Sequence, residues 1–222
     1  MEQKHAKFER LLARCRELAP APTAVAHPCD ESSLRGAVKA AEKGIIQPIL
    51  VGPRSKIESV AREFGLDIAP YEIVDADHSH SAAERAVQLV HEGRAELLMK
   101  GSLHTDELMA AIVRSGTGLR TNRRISHCFI MDVPNLDRAI FVTDAAINIF
   151  PTMEDKMHII QNAIDLAHSL GMEKPKVAIL SAMETINPKL QSTIEAGALC
   201  KMADRGQITG GILDGPLALD NA

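Results

Sequence analysis

Short apolar runs alternate with amphipathic segments along most of the chain. The first amphipathic segment, residues 3–18, carries an apolar side chain at every third or fourth position, which predicts a helix. Apolar runs that are bounded by Gly or Pro follow it and predict strands. The predicted strands are 23–27, 48–52, 71–74, 95–99, 176–180 and 208–213. Strands that alternate with helices indicate an α/β fold with mostly parallel sheets.

Capping residues mark the ends of several predicted helices. Asp30 precedes a helix that we expect to end at Gly44, and Pro53 opens the next one. Ser81 and Glu84 have the spacing of a capping box, in which each side chain binds a free backbone N–H. A helix is therefore predicted to begin at Ser81.

The alternation breaks near residues 116–123. Residues 124–133 and 138–143 look like two strands joined by a short turn, so we expect a hairpin here rather than a crossover helix. Strand–helix units then resume. The sequence therefore predicts two α/β domains, residues 1–122 and 123–222.

Composition narrows the class of protein. The 222 residues carry a net charge of −4 and no basic stripe, so a nucleic-acid partner is not expected. The four cysteines lie too far apart in sequence for a zinc knuckle or a redox pair. A charged start after Met1 and the lack of an apolar run of membrane-spanning length favour a cytoplasmic protein with no membrane partner.

The first loop with ligand-binding chemistry runs from Lys100 to Thr105. It follows a predicted strand and precedes a helix, and open α/β sheets bind ligands at that edge. Gly101 lets the backbone approach a ligand, while Ser102 and Thr105 offer hydroxyl groups. Lys100 offers a positive charge, although a solvated surface lysine is the alternative. A phosphate group would suit this loop, whose glycine spacing is not that of a P-loop.

The second predicted domain has further candidates after its strands. Arg123 or Arg124 could clamp a small anion, with solvated loop arginines as the alternative. Asp144 ends a strand and Asn148 follows at a turn, so Asp144 either binds a ligand or holds the loop. The remaining candidates are Ser126, Glu184 and the turn Asp214-Gly215-Pro216 after the last strand.

Several catalytic signatures are missing from the sequence. It contains no GxGxxG, HExxH or GxSxG motif, and no pair of Cys or His residues at metal-ligand spacing. Cys128 lies in an apolar strand without an activating partner, which is more typical of a core residue than of a nucleophile. The residues alone therefore predict an α/β protein that binds a phosphate-bearing small molecule, and they name no reaction.

Together, these loops resemble the phosphate acetyltransferase and phosphate butyryltransferase family. The resemblance covers essentially the whole chain and rests on segments in the family's order: KGSLHT, RRISHCFIMDVP, TDAAINIFPT, PKVAILSAMETINPK and LDGPLALDNA. The SAMETINPK form, with Glu184, looks closer to the butyryltransferase-like branch, some of whose members are fused to hot-dog enoyl-CoA hydratase domains. The resemblance implies two domains of three α/β/α layers, related to the isocitrate and isopropylmalate dehydrogenase fold.

The resemblance also implies an activity. Family members move an acyl group between coenzyme A and inorganic phosphate, so a phosphate acyltransferase for acetyl or butyryl groups is expected. A homodimer is implied as well, with a CoA thioester and phosphate as substrates and with no metal or tightly bound cofactor. The substrate-binding residues that the resemblance indicates are Lys100, Gly101, Ser102, Thr105, Arg124, Ser126, Asp144, Asn148, Glu184, Asp214, Gly215 and Pro216.

The family's catalytic residues leave alternatives open. Its Ser-Arg pair and nearby Asp match nothing in this sequence and are expected beyond Ala222, so we expect a chain that is truncated at its C-terminal end. A non-catalytic fragment that binds CoA or phosphate is the main alternative. A dehydrogenase on the related fold is disfavoured, because the sequence lacks a nicotinamide signature and a set of metal-binding carboxylates.

Overall fold

The computed structural model describes residues 6–134 and 136–221 of the chain. The chain divides into two compact units. The first unit is Phe8–Thr121, and the second unit begins at Asn122 and includes Lys7. Both are α/β structures, which confirms the fold class predicted from the alternating pattern. The finer likeness to the dehydrogenase fold stays a prediction.

The first unit is built on one parallel sheet with helices between its strands. Its elements are α1 (Ala6–Cys15), β1 (Ala21–Ala26), α2 (Glu31–Glu42), β2 (Ile46–Gly52), α3 (Arg54–Glu63), β3 (Glu72–Asp75), α4 (Ser79–His91), β4 (Leu97–Lys100) and α5 (Thr105–Val113). The strand order is β3-β2-β1-β4. Ala26 of β1 pairs with Val51 of β2 and with Lys100 of β4, so the carboxyl ends of these strands meet at one edge.

Helices cover both faces of this sheet. Successive side chains of a strand point to opposite faces, and β1 shows this alternation in its packing. Val25 packs with Leu34 of α2 and Ile57 of α3. Ala24 packs on the other face, against the cluster that contains Ala86 of α4. The strand is therefore buried on both sides, and the first unit has three layers.

The start of α2 agrees with its predicted cap, whereas the start of α4 differs from its prediction. Asp30 caps α2 by accepting a 2.8 Å hydrogen bond from the backbone N–H three residues on, and Gly44 follows the helix with φ 72°. The cap of α4 is His78, whose Nδ1 accepts from the Ser81 N–H at 3.2 Å, while Ser81 Oγ accepts from the His78 N–H at 3.0 Å. The box predicted for Ser81 and Glu84 is wrong, because an imidazole nitrogen takes the capping role that sequence preferences give to Ser.

The second unit has smaller sheets. Its elements are β5 (Cys128–Met131), β6 (Ile140–Thr143), α6 (Met153–Ser169), β7 (Lys176–Leu180), α7 (Gln191–Asp204), β8 (Ile212–Leu217) and a 3₁₀ helix (Leu219–Asn221). β5 and β6 pair antiparallel, with Cys128 opposite Thr143, which confirms the predicted strand pair. β7 and β8 pair parallel. None of the described helices has the length and apolar character that a membrane span requires.

β8 differs from its prediction. Asp214-Gly215-Pro216 lies within the strand and not in a loop after it. The pairing of β7 and β8 shifts register between Ala178 and Leu180, and such an irregularity accommodates a proline, which has no N–H to donate. A Cβ atom on Gly215 would lie 2.7 Å from the Cβ atom of Ile179, so the two strands approach closely only because this position is glycine.

The core of the second unit lies between its helices and one face of β7–β8. Ile164 of α6 and Leu199 of α7 are fully buried there, next to Ile208. On the other face of the sheet, Leu180 and Ile212 are 51% and 52% exposed. The described residues therefore supply two of the three layers expected for this unit.

Candidate functional site

The carboxyl edge of the first unit's sheet holds the first group of candidate residues. Lys100 is the last residue of β4, Gly101 and Ser102 form the turn after it, and Thr105 is the first residue of α5. Because α2, α3 and α5 each follow a parallel strand, all three begin at this edge, where the first N–H groups of a helix have no intrahelical partner. Side-chain carboxylates accept from one such N–H in α2 and one in α3, whereas no side chain caps α5. Such N–H groups and a lysine ammonium are donors with which proteins bind phosphate groups. The structure thus brings the four candidates of this unit to one phosphate-suited edge.

The Ser102 hydroxyl ties β4 to the loop after β1. It donates a hydrogen bond to the carbonyl oxygen of His27 at 2.8 Å and accepts one from the Cys29 N–H at 3.1 Å. Nδ1 of the His27 side chain lies 3.3 Å from the Ser102 hydroxyl oxygen. Since the hydroxyl has one proton and that proton is committed to His27, Ser102 shapes the loop and has no proton left for a ligand.

Lys100 is the exposed charge of this edge. Its Nζ donates a hydrogen bond to the carbonyl oxygen of Gly101 at 3.2 Å. Hydrogen bonds from Ser33 lower the pKa of Asp30, and the positive charge of Lys100 lowers it further. The ammonium is therefore near enough to the Asp30 carboxylate at the start of α2 to act on its charge.

Sequence reasoning missed the segment His27-Pro28-Cys29 at the end of β1. It follows a strand as Lys100 does, so the rule that ligands bind beyond strand carboxyl ends would have found it. Burial raises the pKa of the Cys29 thiol to about 11, against the opposing effect of Lys56. Cys29 is therefore a protonated thiol at neutral pH and does not act as a nucleophile.

A second group of candidate residues lies around Arg124 in the second unit. Arg124 Nε donates to Asn148 Oδ1 at 2.8 Å and lies 3.6 Å from a carboxylate oxygen of Asp155. Nδ2 of Asn162, on α6, donates to the Arg124 carbonyl and to Ser126 Oγ, each at 2.9 Å. The predicted residues Arg124, Ser126 and Asn148 thus form one polar cluster that is fixed to α6.

Asp144 organises the loop beneath this cluster. Its carboxylate accepts hydrogen bonds from the backbone N–H groups of His127 (3.1 Å), Ala146 (3.1 Å), Ile147 (3.2 Å) and Asn148 (2.8 Å), and from the Asn148 side chain. Burial raises the pKa of Asp144, but the bonds from Asn148, Ala146 and Ile147 outweigh burial and lower it to about 2. Of the two roles open from the sequence, the contacts favour holding the loop.

Glu184 lies in the loop between β7 and α7, and its side chain is exposed. Thr193, which is fully buried in the first turn of α7, anchors the end of that loop. Its hydroxyl accepts from the Asn187 N–H at 2.9 Å and reaches the carbonyl oxygens of Asn187 (3.1 Å) and Leu190 (2.8 Å). One buried hydroxyl group therefore anchors the C-terminal part of the loop that contains Glu184.

We expect Thr193→Val to lower the free energy of unfolding by about 2 kcal/mol, because valine keeps the shape but leaves buried polar backbone groups without a partner. Thr193→Ser is the control: it keeps the hydroxyl, loses one methyl group and should cost about 1 kcal/mol. Urea unfolding measures both values. A valine variant as stable as the serine variant would show that the hydroxyl does not anchor the loop.

The last candidates belong to the β7–β8 sheet. Asp214 is exposed and accepts a hydrogen bond from the Gly215 N–H at 2.9 Å, while Pro216 is buried next to it. Among the described residues, no hydrogen bond joins Glu184 or Asp214 to Arg124. These two carboxylates are therefore not bonded to the Arg124 cluster. In residues 6–134 and 136–221, no group of three or more His, Cys, Asp or Glu side chains is arranged to hold a metal ion.

Cys128 is the one thiol that the sequence places next to these candidates, in β5. Burial raises its pKa, so the thiol is protonated at neutral pH. This agrees with the interpretation of Cys128 as a packing residue and not a nucleophile.

Comparison with known proteins identifies the family. The model of the phosphate acetyl/butaryl transferase family matches residues 79–222. The phosphate acetyltransferase of Rhizobium meliloti is 64% identical over 216 residues, which cover 97% of this chain and 68% of that protein. The phosphate acetyltransferase of Rickettsia typhi is 52% identical over 222 residues, covering all of this chain and 64% of that protein. The phosphate butyryltransferase of Clostridium beijerinckii is 42% identical over 215 residues, covering 97% and 71%.

Solved structures agree with these matches. A branched-chain phosphotransacylase from Enterococcus faecalis V583 superposes with a TM-score of 0.74 at 29% identity, covering 90% of this chain and 69% of that one. A phosphotransacetylase from Streptococcus pyogenes gives a TM-score of 0.76 at 19% identity, covering 96% and 74%, and shows the same fold. The chain spans about two thirds of the length of the curated relatives named above. It belongs to the phosphate acetyl/butaryl transferase family.

Proposed function

We propose that the protein transfers an acyl group between coenzyme A and inorganic phosphate, so that acyl-CoA and phosphate give acyl phosphate and CoA. The observation that carries this proposal is the phosphate-suited edge of the first unit, where Lys100 ends β4 shortly before the start of α5, which no side chain caps, in a chain of this family. The proposal makes a CoA thioester and phosphate the partners of the protein.

The reaction sets three requirements on the protein. A phosphate oxygen attacks the thioester carbonyl carbon, the new C–O bond forms, the C–S bond breaks, and CoA leaves as a thiolate that takes up a proton. The phosphate must be held by cationic and N–H donors, and the charge that develops on the carbonyl oxygen needs donors of its own. The third requirement is a group that delivers the proton to the CoA thiolate or removes it from the thiol.

The first requirement suits the candidates of the first unit. We assign the Lys100 ammonium to a substrate phosphate group, together with N–H groups at the start of α5. Thr105, which is exposed in the first turn of α5, adds a hydroxyl donor. Ser102 holds the turn, since its hydroxyl proton is already bound to His27.

The second unit offers donors and carboxylates. Arg124 and Ser126 supply donors in a cluster that Asp144 and Asn148 hold in place. Glu184 and Asp214 are exposed carboxylates that we assign to substrate contacts, and proton transfer is a role open to both. Gly215 and Pro216 set the strand geometry beside Asp214.

An acetyl group is the acyl group that we propose. The relatives from Rhizobium meliloti and Rickettsia typhi, which are phosphate acetyltransferases, are 64% and 52% identical to this chain. The butyryltransferase from Clostridium beijerinckii is 42% identical. A butyryl group differs by two methylene groups, and each is worth only about 1–3 kcal/mol of discrimination, so both substrates belong in the assay.

The same proposal covers the setting of the enzyme. Displacement at a carbonyl carbon needs no metal or tightly bound cofactor, and CoA and phosphate are substrates of the cytoplasm, where we place the protein.

We also propose a homodimer. Ile149 and Phe150 of the second unit are 83% and 93% exposed, and adjacent exposed apolar side chains are a mark of surfaces that associate.

The test is phosphate-dependent release of CoA from acetyl-CoA or butyryl-CoA, followed with a thiol reagent. We expect turnover by the wild-type protein and about a tenfold rise in the KM for phosphate in Lys100→Met, which loses one charge-assisted hydrogen bond. Lys39→Met, on the exposed side of α2, is the matched control and should leave the KM unchanged.

The proposed reaction and the role of Lys100 would each be contradicted by a different result. A wild-type protein that binds CoA but releases none from the thioester in the presence of phosphate would be a binding module, and the proposed function would be wrong. Turnover with an unchanged phosphate KM in Lys100→Met would leave the function standing and remove Lys100 from the phosphate site.

A further inference from the structure

His27 has an unusual backbone conformation for its residue type. Its φ is 54°, and among the described residues it is the non-glycine residue with positive φ. Its N–H donates to the Val51 carbonyl at 2.7 Å. Its carbonyl oxygen accepts from the Cys29 N–H at 2.9 Å and from both the N–H and the hydroxyl of Ser102, each at 2.8 Å. The backbone is therefore held from three sides in a region that glycine adopts without strain.

A residue other than glycine at such a position points to a role for its side chain. Left-handed backbone is unfavourable for most side chains, and strained residues concentrate at functional sites. At His27 the side chain is an imidazole whose Nδ1 lies 3.3 Å from Ser102 Oγ. The contact is with the serine that fixes the turn after Lys100.

The hydrogen bonds of Ser102 determine the tautomer of His27. The hydroxyl proton goes to the His27 carbonyl oxygen, and one lone pair accepts from the Cys29 N–H. With this pattern a lone pair is left on the side of the imidazole, so we assign the ring proton to Nδ1, which donates it to Ser102 Oγ. Nε2 then holds the lone pair of a neutral ring.

Charged groups on three neighbouring elements face this ring: Lys56 of α3, Glu107 of α5 and Asp30 at the start of α2. Burial lowers the pKa of His27 below its usual value, and the positive charge of Lys56 acts in the same direction. Ser102, Glu107 and Asp30 act against them and do not restore the usual pKa. The imidazole is thus mainly uncharged at neutral pH.

We propose that His27 is a positioning residue for the acyl transfer: its imidazole holds Ser102, and through Ser102 it fixes the turn that presents Lys100 to the substrate phosphate group. This inference rests on the proposed function, since it concerns the phosphate contact of Lys100. It goes beyond that function by assigning the geometry of the contact to a side chain that follows a different strand, β1.

Two variants of His27 separate positioning from a merely structural role. His27→Gly suits the left-handed backbone and removes the imidazole, so we expect unfolding no easier than in the wild type but about a fivefold rise in the phosphate KM, with kcat changed less. His27→Asn tolerates the same backbone and places an amide N–H near the position of Nδ1, so it should recover most of that loss.

His91→Asn is the control in the same unit. His91 Nε2 lies 3.0 Å from the Thr117 carbonyl oxygen and 2.9 Å from that of Gly118, so this histidine also holds a loop. We expect its replacement to lower stability and to leave the phosphate KM unchanged. A wild-type phosphate KM in His27→Gly overturns the inference while the proposed function stands.

Imidazole ¹⁵N NMR tests the His27–Ser102 contact without turnover. We expect His27 to carry its proton on Nδ1, to titrate below pH 6.5, and to lose the preference for that tautomer in Ser102→Ala. A ring protonated on Nε2, or one that does not respond to Ser102→Ala, would refute the contact. If the wild-type protein releases no CoA from the thioester in the presence of phosphate, the proposed function is wrong. The NMR measurement still decides whether the His27 imidazole contacts Ser102.

Discussion

Replacing Gly101 with Ala is expected to lower the free energy of unfolding by about 3–4 kcal/mol. A Cβ atom at this position would lie 2.5 Å from the carbonyl oxygen and 2.7 Å from the carbonyl carbon of His27, with the Ala26 oxygen nearer still. These are backbone atoms at and just after the end of β1, so no side chain can rotate away. For a protein of this size, we expect the melting temperature to fall by roughly 10 °C.

The same contact explains why the clash cannot relax cheaply. The Gly101 N–H donates to the Ala26 carbonyl oxygen at 2.8 Å, and the next N–H, of Ser102, donates to the His27 carbonyl oxygen at 2.8 Å. Moving β4 away from β1 to make room would stretch both hydrogen bonds at the edge of the sheet. Strain and lost hydrogen bonding therefore add to each other.

Gly36→Ala is the matched control for Gly101→Ala. Gly36 lies within α2, and a Cβ atom there would meet only the Cε atom of Met99 at 3.5 Å, an ordinary contact. Alanine is favoured over glycine in a helix interior by about 1 kcal/mol, so this variant should be slightly more stable than the wild type. Thermal unfolding followed by circular dichroism compares the two. Equal effects of the two substitutions would show that β1 and β4 are less closely packed than the structure has them.

The sequence predicts much of the first unit because each local signal there agrees with the packing. The apolar run that forms β1 is buried on both faces, and Asp30 and Gly44 bound α2 where capping rules place them. The α4 start was missed because His78 is an unusual cap, and the rules rank Ser above it. Capping preferences therefore predict a helix start correctly when a commonly used residue caps it, and they miss the start when an uncommon residue such as His78 does.

The second unit shows what sequence patterns miss. Gly and Pro after an apolar run normally mark a turn, yet Asp214-Gly215-Pro216 is part of β8. The reason is a contact with Ile179 on β7, which is 36 residues earlier in the chain. No window of the sequence contains both partners, so propensity alone predicts a loop there.

The candidate residues were easier to predict as positions than as roles. Lys100 ends the parallel strand β4 and Ser102 follows it, as the rule for parallel sheets requires, while Asp144 follows the antiparallel strand β6. Which of them faces a ligand depends on where hydrogen bonds go. The Ser102 proton is bound to His27, which lies 75 residues away in sequence. The part played by His27 itself could not be read from the sequence, because it depends on a backbone angle.

We expect Asp144→Asn to lower the free energy of unfolding at pH 7 by about 3 kcal/mol. The asparagine amide can replace one carboxylate oxygen as an acceptor, but its NH₂ group would face backbone N–H donors at the other. The His127, Ala146 and Ile147 N–H groups share one oxygen, while the Asn148 N–H and side chain share the other. Either orientation of the amide leaves donors opposed to donors, which costs more than losing a single neutral hydrogen bond.

The effect depends on pH in a direction that follows from the pKa of about 2. In the unfolded chain an Asp carboxyl has a pKa of about 3.9, so the unfolded state binds this proton more readily. The stabilisation by ionised Asp144 is complete above about pH 4 and is lost as the pH falls toward 2. Since the asparagine variant cannot ionise at this position, its deficit relative to the wild type should shrink by roughly 2 kcal/mol between pH 4 and pH 2.

Urea unfolding at several pH values measures that deficit directly. Asp204→Asn is the control, because Asp204 is an exposed carboxylate at the end of α7, paired with Lys201 at 2.9 Å, and such surface pairs contribute at most about 1 kcal/mol. A deficit in Asp144→Asn that stays constant from pH 7 to pH 2 would mean that shape, and not charge, holds the loop. A deficit that shrinks as expected would establish Asp144 as the ionised anchor of Asn148, and through Asn148 of the Arg124 guanidinium that we assign to the substrate.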